Sequence, residues 1–305
     1  MTTSYLSAPQ FHDEAAAFAF VESHLWPTGP VCPRCATQDR IGKLGGKSTR
    51  MGVYKCYACR KPFTVRVGTI FEDSHVELKL WLQAIFLIAS SKKGISSNQL
   101  HRVLGVTLKT AWFMSHRIRF AMTDGTTDKL GGLGTSGVVE ADETYIGRTR
   151  GQGKGSHMGK KEPIVALVER KGRVRAVHVP TVTAESLKTV LHSQIDESAR
   201  LMTDGAGMYK KLGKHFASHE TVNHRDGEYA RGDVTTNTVE SFFGVLKRGL
   251  RGVYQHVSPE HLNRYVSEFE FRHNNRVALE INDKQRADNL LAGVIGKRLT
   301  YHEVV

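Results

Sequence analysis

Three acidic residues lie where their carboxylates could meet. Asp142 is inside a predicted strand (VVEADETYI), Asp204 ends a later one (ARLMTD) before a Gly-rich loop, and Glu240 is near the start of a predicted helix (NTVESFFGVLKRG). Carboxylates are hard oxygen ligands that suit Mg²⁺, and two such ions can activate the nucleophile and stabilise the leaving oxygen of a phosphodiester. Each acid alone is weak support for a metal site, because an acid beside Gly often only forms a turn.

The helix that carries Glu240 also fits a purely structural interpretation. Asn237 and Glu240 match a capping box, with Asn237 as N-cap and Glu240 reaching back to its backbone N–H. Asn237, Glu240 and Lys247 share one helical face because steps of three and seven residues return to the same side. Lys247 could therefore hold a substrate phosphate as a point charge or be an ordinary solvated lysine.

The first acidic strand contains two further candidates. Strand alternation puts Glu140 and Asp142 on one face and Glu143 on the other. Alternation alone therefore does not choose between Glu140 and Asp142.

All four cysteines occur in two Cys-x-x-Cys pairs, Cys32 with Cys35 and Cys56 with Cys59. This pattern predicts a zinc ribbon, in which two tight turns supply four thiolates to one structural Zn²⁺. A closed four-thiolate site has no open position for water, so we expect no catalysis there. Disulfides or a redox pair are the alternatives, and both are disfavoured without an export signal and with two motifs instead of one.

Composition limits the class of partner. The 305 residues carry a formal net charge of +13, which favours a polyanionic partner without choosing among nucleic acid and membrane surfaces. The N-terminus lacks the basic start and apolar core of a signal peptide, and the longest apolar stretch, LWLQAIFLIA, is far shorter than the roughly 20 residues of a membrane span. We therefore expect a cytoplasmic protein, on the nucleoid if the polyanion is DNA, and no membrane partner.

Periodicity divides the chain into six parts. In order, they are an N-terminal helical lead-in (1–29), a zinc ribbon (30–68), a helix-turn-helix-like region (76–122), a linker (123–137), an α/β domain with a mixed sheet flanked by helices (138–276) and a C-terminal tail (277–305). A basic segment between the first two strands, residues 147–161, fits a solvated hairpin tip as well as a phosphate-contacting arm.

The helix-turn-helix interpretation depends on one helical pair. Leu100, Val103 and Leu104 are predicted to face inward, Gly105 to turn the chain and Thr107 to start the second helix. That helix carries the candidate DNA contacts Lys109, His116, Arg117 and Arg119. A plain helical hairpin is the alternative.

The order and spacing of these motifs resemble a known family. Asp204 and Glu240 are separated by 35 residues, and Lys247 follows two helical turns later, as in the D…D-35-E pattern of DDE transposases and retroviral integrases. The segments WPTGPVCPRC, KCYACRKPFTVRVGTIFEDS, EADETYIG and TNTVESFFGVLKRG resemble the bacterial insertion-sequence transposases with an N-terminal zinc ribbon and an ISXO-type domain, over residues 11–275. Two threonines precede Asn237 here, where that group often has a His.

The resemblance implies a function and a set of residue roles. It implies an RNase H-like domain in which Asp142, Asp204 and Glu240 bind two catalytic Mg²⁺ ions, with Mn²⁺ as a possible substitute. Asn237 is the alternative third residue, because some members use Asn. The implied activity is DNA strand cleavage and strand transfer at terminal inverted repeats. The implied partners are double-stranded DNA at the element ends and the target, and further copies of the chain in a homodimer or larger assembly on DNA.

Two other functions fit the same sequence. A zinc-ribbon DNA-binding regulator with an inactive RNase H-like domain would need none of the three acids. A nuclease would hydrolyse DNA without joining strands.

Overall fold

The computed structural model describes residues 4–147 and 161–300, so nearly all of the basic segment lies outside the described residues. The chain forms two compact units. One consists of Met1–Thr123 with Ile281–Val305, and the other of Asp124–Glu280. None of the described helices is long and apolar enough to cross a membrane.

The first unit begins with a helix capped by Asp13, whose carboxylate accepts the backbone N–H of Ala16 at 2.7 Å. Its elements are, in order, α1 (Glu14–Leu25), β1 (Ile41–Lys43), β2 (Tyr54–Cys56), β3 (Pro62–Phe63), α2 (Leu78–Ser90), α3 (Ser97–Leu104) and α4 (Leu108–Ala121). The three short strands form an antiparallel sheet in the order β1-β2-β3. Trp26, Tyr54 and Phe63 pack together at the ribbon's core. Their rings supply apolar surface that its two buried cysteines alone would not provide.

The turn between α3 and α4 follows the predicted pattern in part. Gly105 adopts a left-handed conformation (φ 67°) that ends α3, and Thr107 caps α4 by accepting the N–H of Thr110. Leu100 and Leu104 are buried as predicted. The inward orientation predicted for Val103 is wrong, because Val103 is 56% exposed.

The charged residues of α4 correct another expectation. His116, Arg117 and Arg119 are buried, and the Arg117 guanidinium donates to the backbone oxygens of Ile70, Glu72 and Leu299. These side chains therefore hold the unit together and are not available for a DNA backbone. Lys109, in the first turn of α4, is exposed.

The second unit is built on a five-stranded mixed sheet. Its elements are β4 (Val138–Ile146), β5 (Glu162–Glu169), β6 (Val174–His178), α5 (Ala184–Gln194), β7 (Arg200–Asp204), α6 (Gly207–Leu212), β8 (Ser218–Val222), β9 (Ala230–Arg231), β10 (Val234–Thr235), α7 (Asn237–Gly249) and α8 (Pro259–Asn274). The sheet order is β6-β5-β4-β7-β8; β4 runs antiparallel to β5 and parallel to β7. The predicted mixed sheet is confirmed.

Helices cover both faces of this sheet because its strands are apolar on both sides. Val165 and Leu167 of β5 pack with α5 and α6, in the core that contains Leu187 and Leu191. The alternate residues of β5 face the opposite core, which contains Phe242 of α7 and Phe269 of α8. Each helix is therefore fixed to the sheet by one apolar stripe, and the polar ends of the strands are left at the edge of the sandwich.

The edge strand β6 is covered by polar side chains of α8. Asn263, Glu270 and Asn274 accept the backbone N–H groups of His178, Ala176 and Val174 at 3.0, 3.1 and 2.7 Å. These are the alternate N–H groups that β5 does not use, so α8 takes the place of a sixth strand.

The C-terminal residues return to the first unit. Helix α9 (Asp283–Ala292) is capped by Asn282 and packs against α1 and α2. Its Leu290 and Leu291 are buried, and the Arg286 guanidinium donates to the backbone oxygen of Ala89.

Candidate active site

The sheet register brings two of the candidate acids together. Strands β4 and β7 are parallel neighbours, and the last residue pair in their register is Ala141 with Thr203. The next residue on each strand is an acid, Asp142 on β4 and Asp204 on β7. Residues at paired positions of neighbouring strands point to the same face of the sheet. The register of β4 and β7 therefore brings the side chains of these two acids together.

The third acid comes from α7, whose start differs from the predicted capping box. The helix begins at Asn237, and Thr236 is the N-cap without a side-chain capping bond. The carboxylate of Glu140, on β4, accepts the N–H groups of Thr238 and Val239 at 2.7 and 3.1 Å. Glu240 therefore does not cap α7, because the carboxylate of Glu140 on β4 accepts the free N–H groups at the start of the helix.

Glu240 is held by two side chains through one oxygen. Its Oε1 accepts the hydroxyl of Thr236 at 2.8 Å and lies 3.4 Å from Nε2 of His224. His224 is also 3.1 Å from the Thr236 hydroxyl. No sequence pattern predicted a role for His224, because its separation from Glu240 along the chain is too large for helical or strand periodicity to connect them.

The negative charges of the neighbouring acids act on Asp142. Burial raises the pKa of Asp142 to about 7, opposed by a hydrogen bond from the Glu143 backbone N–H and increased by the carboxylates of Glu143, Asp204 and Glu240. The other three carboxylates therefore oppose ionisation of Asp142, which is the situation that a bound cation would relieve.

Glu143 is a fourth carboxylate that the sequence placed on the other strand face. Its Oε2 accepts the hydroxyl of the buried Tyr209 of α6 at 2.7 Å, which agrees with the predicted alternation. Burial raises the pKa of Glu143, opposed by the Tyr209 hydrogen bond and increased by Asp204. Glu143 thus contributes negative charge to the acids even though its carboxylate is bound by α6.

The remaining predicted residues lie on α7. Asn237 is exposed, and its backbone N–H donates to the Thr235 hydroxyl at 3.1 Å. Lys247 is half-buried, and its side chain forms no hydrogen bond or ion pair within the described part of the chain.

The acids do not form a closed cage. Within residues 4–147 and 161–300, one group of three or more metal-binding side chains has all its ligand atoms within 4.8 Å of one another. That group is the four cysteines, not the acids. An oxygen-only donor set with wider spacing fits Mg²⁺, which keeps several of its waters and needs few protein ligands. The donor chemistry and the mutual repulsion therefore fit this metal.

The cysteines form a compact site in the first unit. The Sγ atoms of Cys32 and Cys59, and those of Cys35 and Cys56, are each 3.7 Å apart. A tetrahedron with Zn–S bonds of about 2.3 Å has sulfur atoms at nearly this separation. The backbone N–H of Cys59 points to Sγ of Cys56 at 3.5 Å, so the turn itself stabilises a thiolate. The predicted zinc-ribbon cysteine cluster is confirmed.

Comparison with known proteins gives two family matches. Residues 134–274 match the ISXO2-like transposase domain, and residues 12–62 match the transposase zinc-ribbon domain. A relative from Halobacterium salinarum, described as an uncharacterised protein in transposable element ISH50, is 29% identical over 279 residues, covering 86% of this chain and 91% of that protein. Both matched domains imply DNA binding. The chain thus joins a transposase zinc ribbon to an ISXO2-like transposase domain, the two parts of an insertion-sequence transposase.

Proposed function

We propose that this protein is the DNA transposase of an insertion sequence, acting on DNA in the cytoplasm by Mg²⁺-dependent strand cleavage and strand transfer. The observation that supports this most directly is the convergence of Asp142, Asp204 and Glu240: burial raises the pKa of Asp142 to about 7, and the carboxylates of Asp204 and Glu240 add to that rise. Acids on a first strand, a later strand and a helix are also what an RNase H-like domain requires, so we assign that fold to Asp124–Glu280.

In this proposal the three acids are metal ligands. Two Mg²⁺ ions, or Mn²⁺ in their place, would activate the attacking oxygen and stabilise the departing 3′ oxygen. Asp142 and Asp204 bind from adjacent strands, and Glu240 binds from α7. Oε1 of Glu240 is occupied by Thr236 and His224, so Oε2 is the oxygen that faces a metal.

Glu240 is a better third ligand than Asn237. Its charge contributes to the raised pKa of Asp142, which supports a position near the other acids. Asn237 shares the exposed start of α7, and we assign its side chain to substrate contact. Lys247, unpaired within the described residues and on the same helical face, would hold a DNA phosphate.

DNA recognition is assigned to the first unit. Residues 78–123, which include α2, α3 and α4, contain no Asp or Glu, so exposed cations such as Arg102 and Lys109 give this segment a positive charge that favours phosphate. We propose that α3 and α4 form a helix-turn-helix and that the first turn of α4 reads the terminal inverted repeats, since the later cations of α4 are buried. Two element ends must be paired, so the working form is a homodimer or larger on DNA.

A joining reaction separates this function from its two competitors. Pre-cut element ends carrying 3′ hydroxyls are mixed with a supercoiled plasmid, and joined products are counted with Mg²⁺ and with a chelator. A transposase joins ends only with Mg²⁺, a nuclease only degrades them, and a regulator only binds. Asp204→Asn should abolish joining, whereas Asp196→Asn, which changes a half-buried acid that accepts the Ser198 N–H elsewhere in the unit, should not. Joining that survives Asp204→Asn would reject the proposal.

A further inference from the structure

Glu140 is a buried carboxylate with both oxygens fully engaged. It is 0% exposed; Oε1 accepts from Nε of Arg170 at 2.8 Å and from the hydroxyl of Thr238 at 2.9 Å. Oε2 accepts the backbone N–H groups of Thr238 and Val239. With every acceptor direction in use, Glu140 has no oxygen left for a metal.

Its partners lie on both sides of the start of α7. Arg170 donates through Nη2 to the backbone oxygen of Thr235, the residue that ends β10, at 3.2 Å. The Arg170 backbone N–H donates to the oxygen of Val138, at the beginning of β4, at 3.1 Å. The Arg170 guanidinium and the positive end of the α7 dipole thus meet at one buried point, and the Glu140 carboxylate accepts hydrogen bonds from both.

The position of this contact relates it to the catalytic acids. Glu140 precedes Asp142 by two residues on the same face of β4, and Thr238 precedes Glu240 by two residues on α7. The contact therefore joins the strand of one acid to the helix of another. Movement of α7 along or away from β4 would have to break charged hydrogen bonds in the interior, which is costly.

We propose that Glu140 is a positioning residue of the active site, which fixes Glu240 relative to Asp142 at the spacing that divalent metal binding requires. This inference rests on the proposed function. Arg170 and Thr238 take part in the same contact through their hydrogen bonds to Glu140. Partners that orient metal ligands typically alter metal affinity or activity by about 10–100-fold when they are removed.

Paired substitutions in the full-length protein test this role. Glu140→Gln keeps the shape and removes the charge, and Thr238→Val removes one hydroxyl donor at constant size, with Thr238→Ser as the conservative rescue. Glu268→Gln is the matched control, because Glu268 is also 0% exposed and paired with an arginine, Arg272, but lies on α8 away from the start of α7.

Three quantities are measured for each variant. They are amide hydrogen exchange at Thr238 and Val239 without metal, Mn²⁺ binding by calorimetry, and the Mg²⁺ concentration that gives half-maximal end joining. Glu140→Gln should speed exchange at both amides and weaken Mn²⁺ binding and raise the Mg²⁺ requirement by about 10–100-fold. Thr238→Val should shift all three in the same direction by less, Thr238→Ser should resemble the wild type, and Glu268→Gln should leave all three unchanged.

Two results would overturn the inference. One is a Glu140→Gln protein whose metal binding equals that of Glu268→Gln. The other, decisive if Glu140→Gln does not fold, is a Thr238→Val protein that matches Thr238→Ser in exchange and metal binding. Asp142→Asn, assayed in parallel, separates this from failure of the proposed function: if Asp142→Asn still binds Mn²⁺ and joins ends, the metal site itself has been wrongly assigned.

Discussion

Asp142 shows most clearly how individual side chains create the candidate metal site. Its pKa of about 7 results first from burial and then from the carboxylates of Glu143, Asp204 and Glu240. The ordinary pKa of an aspartate is about 4. In the metal-free protein, folding therefore costs progressively more as pH rises from about 4 to 7, and the whole cost is present at pH 8. A bound divalent cation would remove it.

Mg²⁺ should therefore stabilise the wild-type protein at pH 8. At a concentration 100 times the dissociation constant the gain in unfolding free energy is about 2.7 kcal/mol. Asp142→Asn removes one ligand and part of the repulsion, so it should unfold at a higher temperature than the wild type without metal and respond little to Mg²⁺. Thermal unfolding with Mg²⁺ and with chelator measures both. Equal Mg²⁺ responses in the two proteins would contradict the assignment of Asp142.

Sequence reasoning identified the acids but could not supply their surroundings. The alternation of β4 correctly separated Glu143 from Glu140 and Asp142. The roles of Glu140, Arg170 and His224 depend on contacts between residues far apart in the chain, for which periodicity has no signal. The capping box, the structural alternative for Asn237 and Glu240, is absent from the start of α7, because a carboxylate from a strand supplies the cap instead.

At the scale of elements, α8 is the clearest feature that local patterns did not predict. Its apolar stripe packs on the sheet, while Asn263, Glu270 and Asn274 complete the edge strand β6. Burial raises the pKa of Glu270 to about 7, opposed by the hydrogen bond from Ala176 and increased by Asp124. A polar residue on a helix does not reveal from sequence which backbone group it will meet.

Glu270→Gln should flatten part of the dependence of stability on pH. Because the folded pKa of Glu270 is raised, stability is lost as pH rises from about 4.5 to 7, by about 3 kcal/mol. Gln still accepts the Ala176 N–H but does not ionise. The difference in unfolding free energy between variant and wild type, from denaturant titrations at pH 4 to 8, should therefore grow in favour of the variant. A constant difference over this range would refute the effect.

The zinc ribbon is the element whose geometry the sequence predicted most fully, because two Cys-x-x-Cys turns leave few arrangements. Cys35→Ser should remove the metal and unfold residues 30–64, since the ribbon's three short strands bury little apolar surface. Hydrogen exchange should rise in that segment and stay unchanged in β4 and β7. Elemental analysis of wild-type protein prepared without chelator should give one zinc per chain. A zinc-free wild-type protein with a protected ribbon would contradict this prediction.

At the scale of the whole molecule, the chain order does not match the order of the compact units. The sequence predicted a C-terminal tail, whereas Ile281–Val305 belongs with Met1–Thr123. Only four buried side chains of α9 mark its inner face, two of them Leu290 and Leu291, which is too weak a pattern to identify the partner. The N-terminal unit is therefore completed only after the α/β unit has been synthesised.

Removal of residues 281–305 should accordingly damage a unit that is distant in sequence. It exposes the surfaces of α1 and α2 that α9 covers and leaves the Ala89 oxygen without its Arg286 donor. We expect faster hydrogen exchange in α1 and α2 and weaker binding of inverted-repeat DNA. Exchange in the five-stranded sheet should not change. Unaltered protection of α2 in the truncated protein would show that α9 contributes nothing to this unit.

The central claim is that Glu240 is a metal ligand in a strand-transfer site. The most direct measurement is the rate at which purified Glu240→Gln protein joins pre-cut ends to target DNA in Mg²⁺, beside the wild type and Glu260→Gln. Glu260 is the matched control, since it is an exposed acid in the first turn of a helix of the same unit. We predict that Glu240→Gln folds and binds ends normally but joins them orders of magnitude more slowly, because a neutral amide replaces a charged oxygen ligand. Joining by Glu240→Gln at the rate of Glu260→Gln would contradict the account and move the third ligand to Asn237.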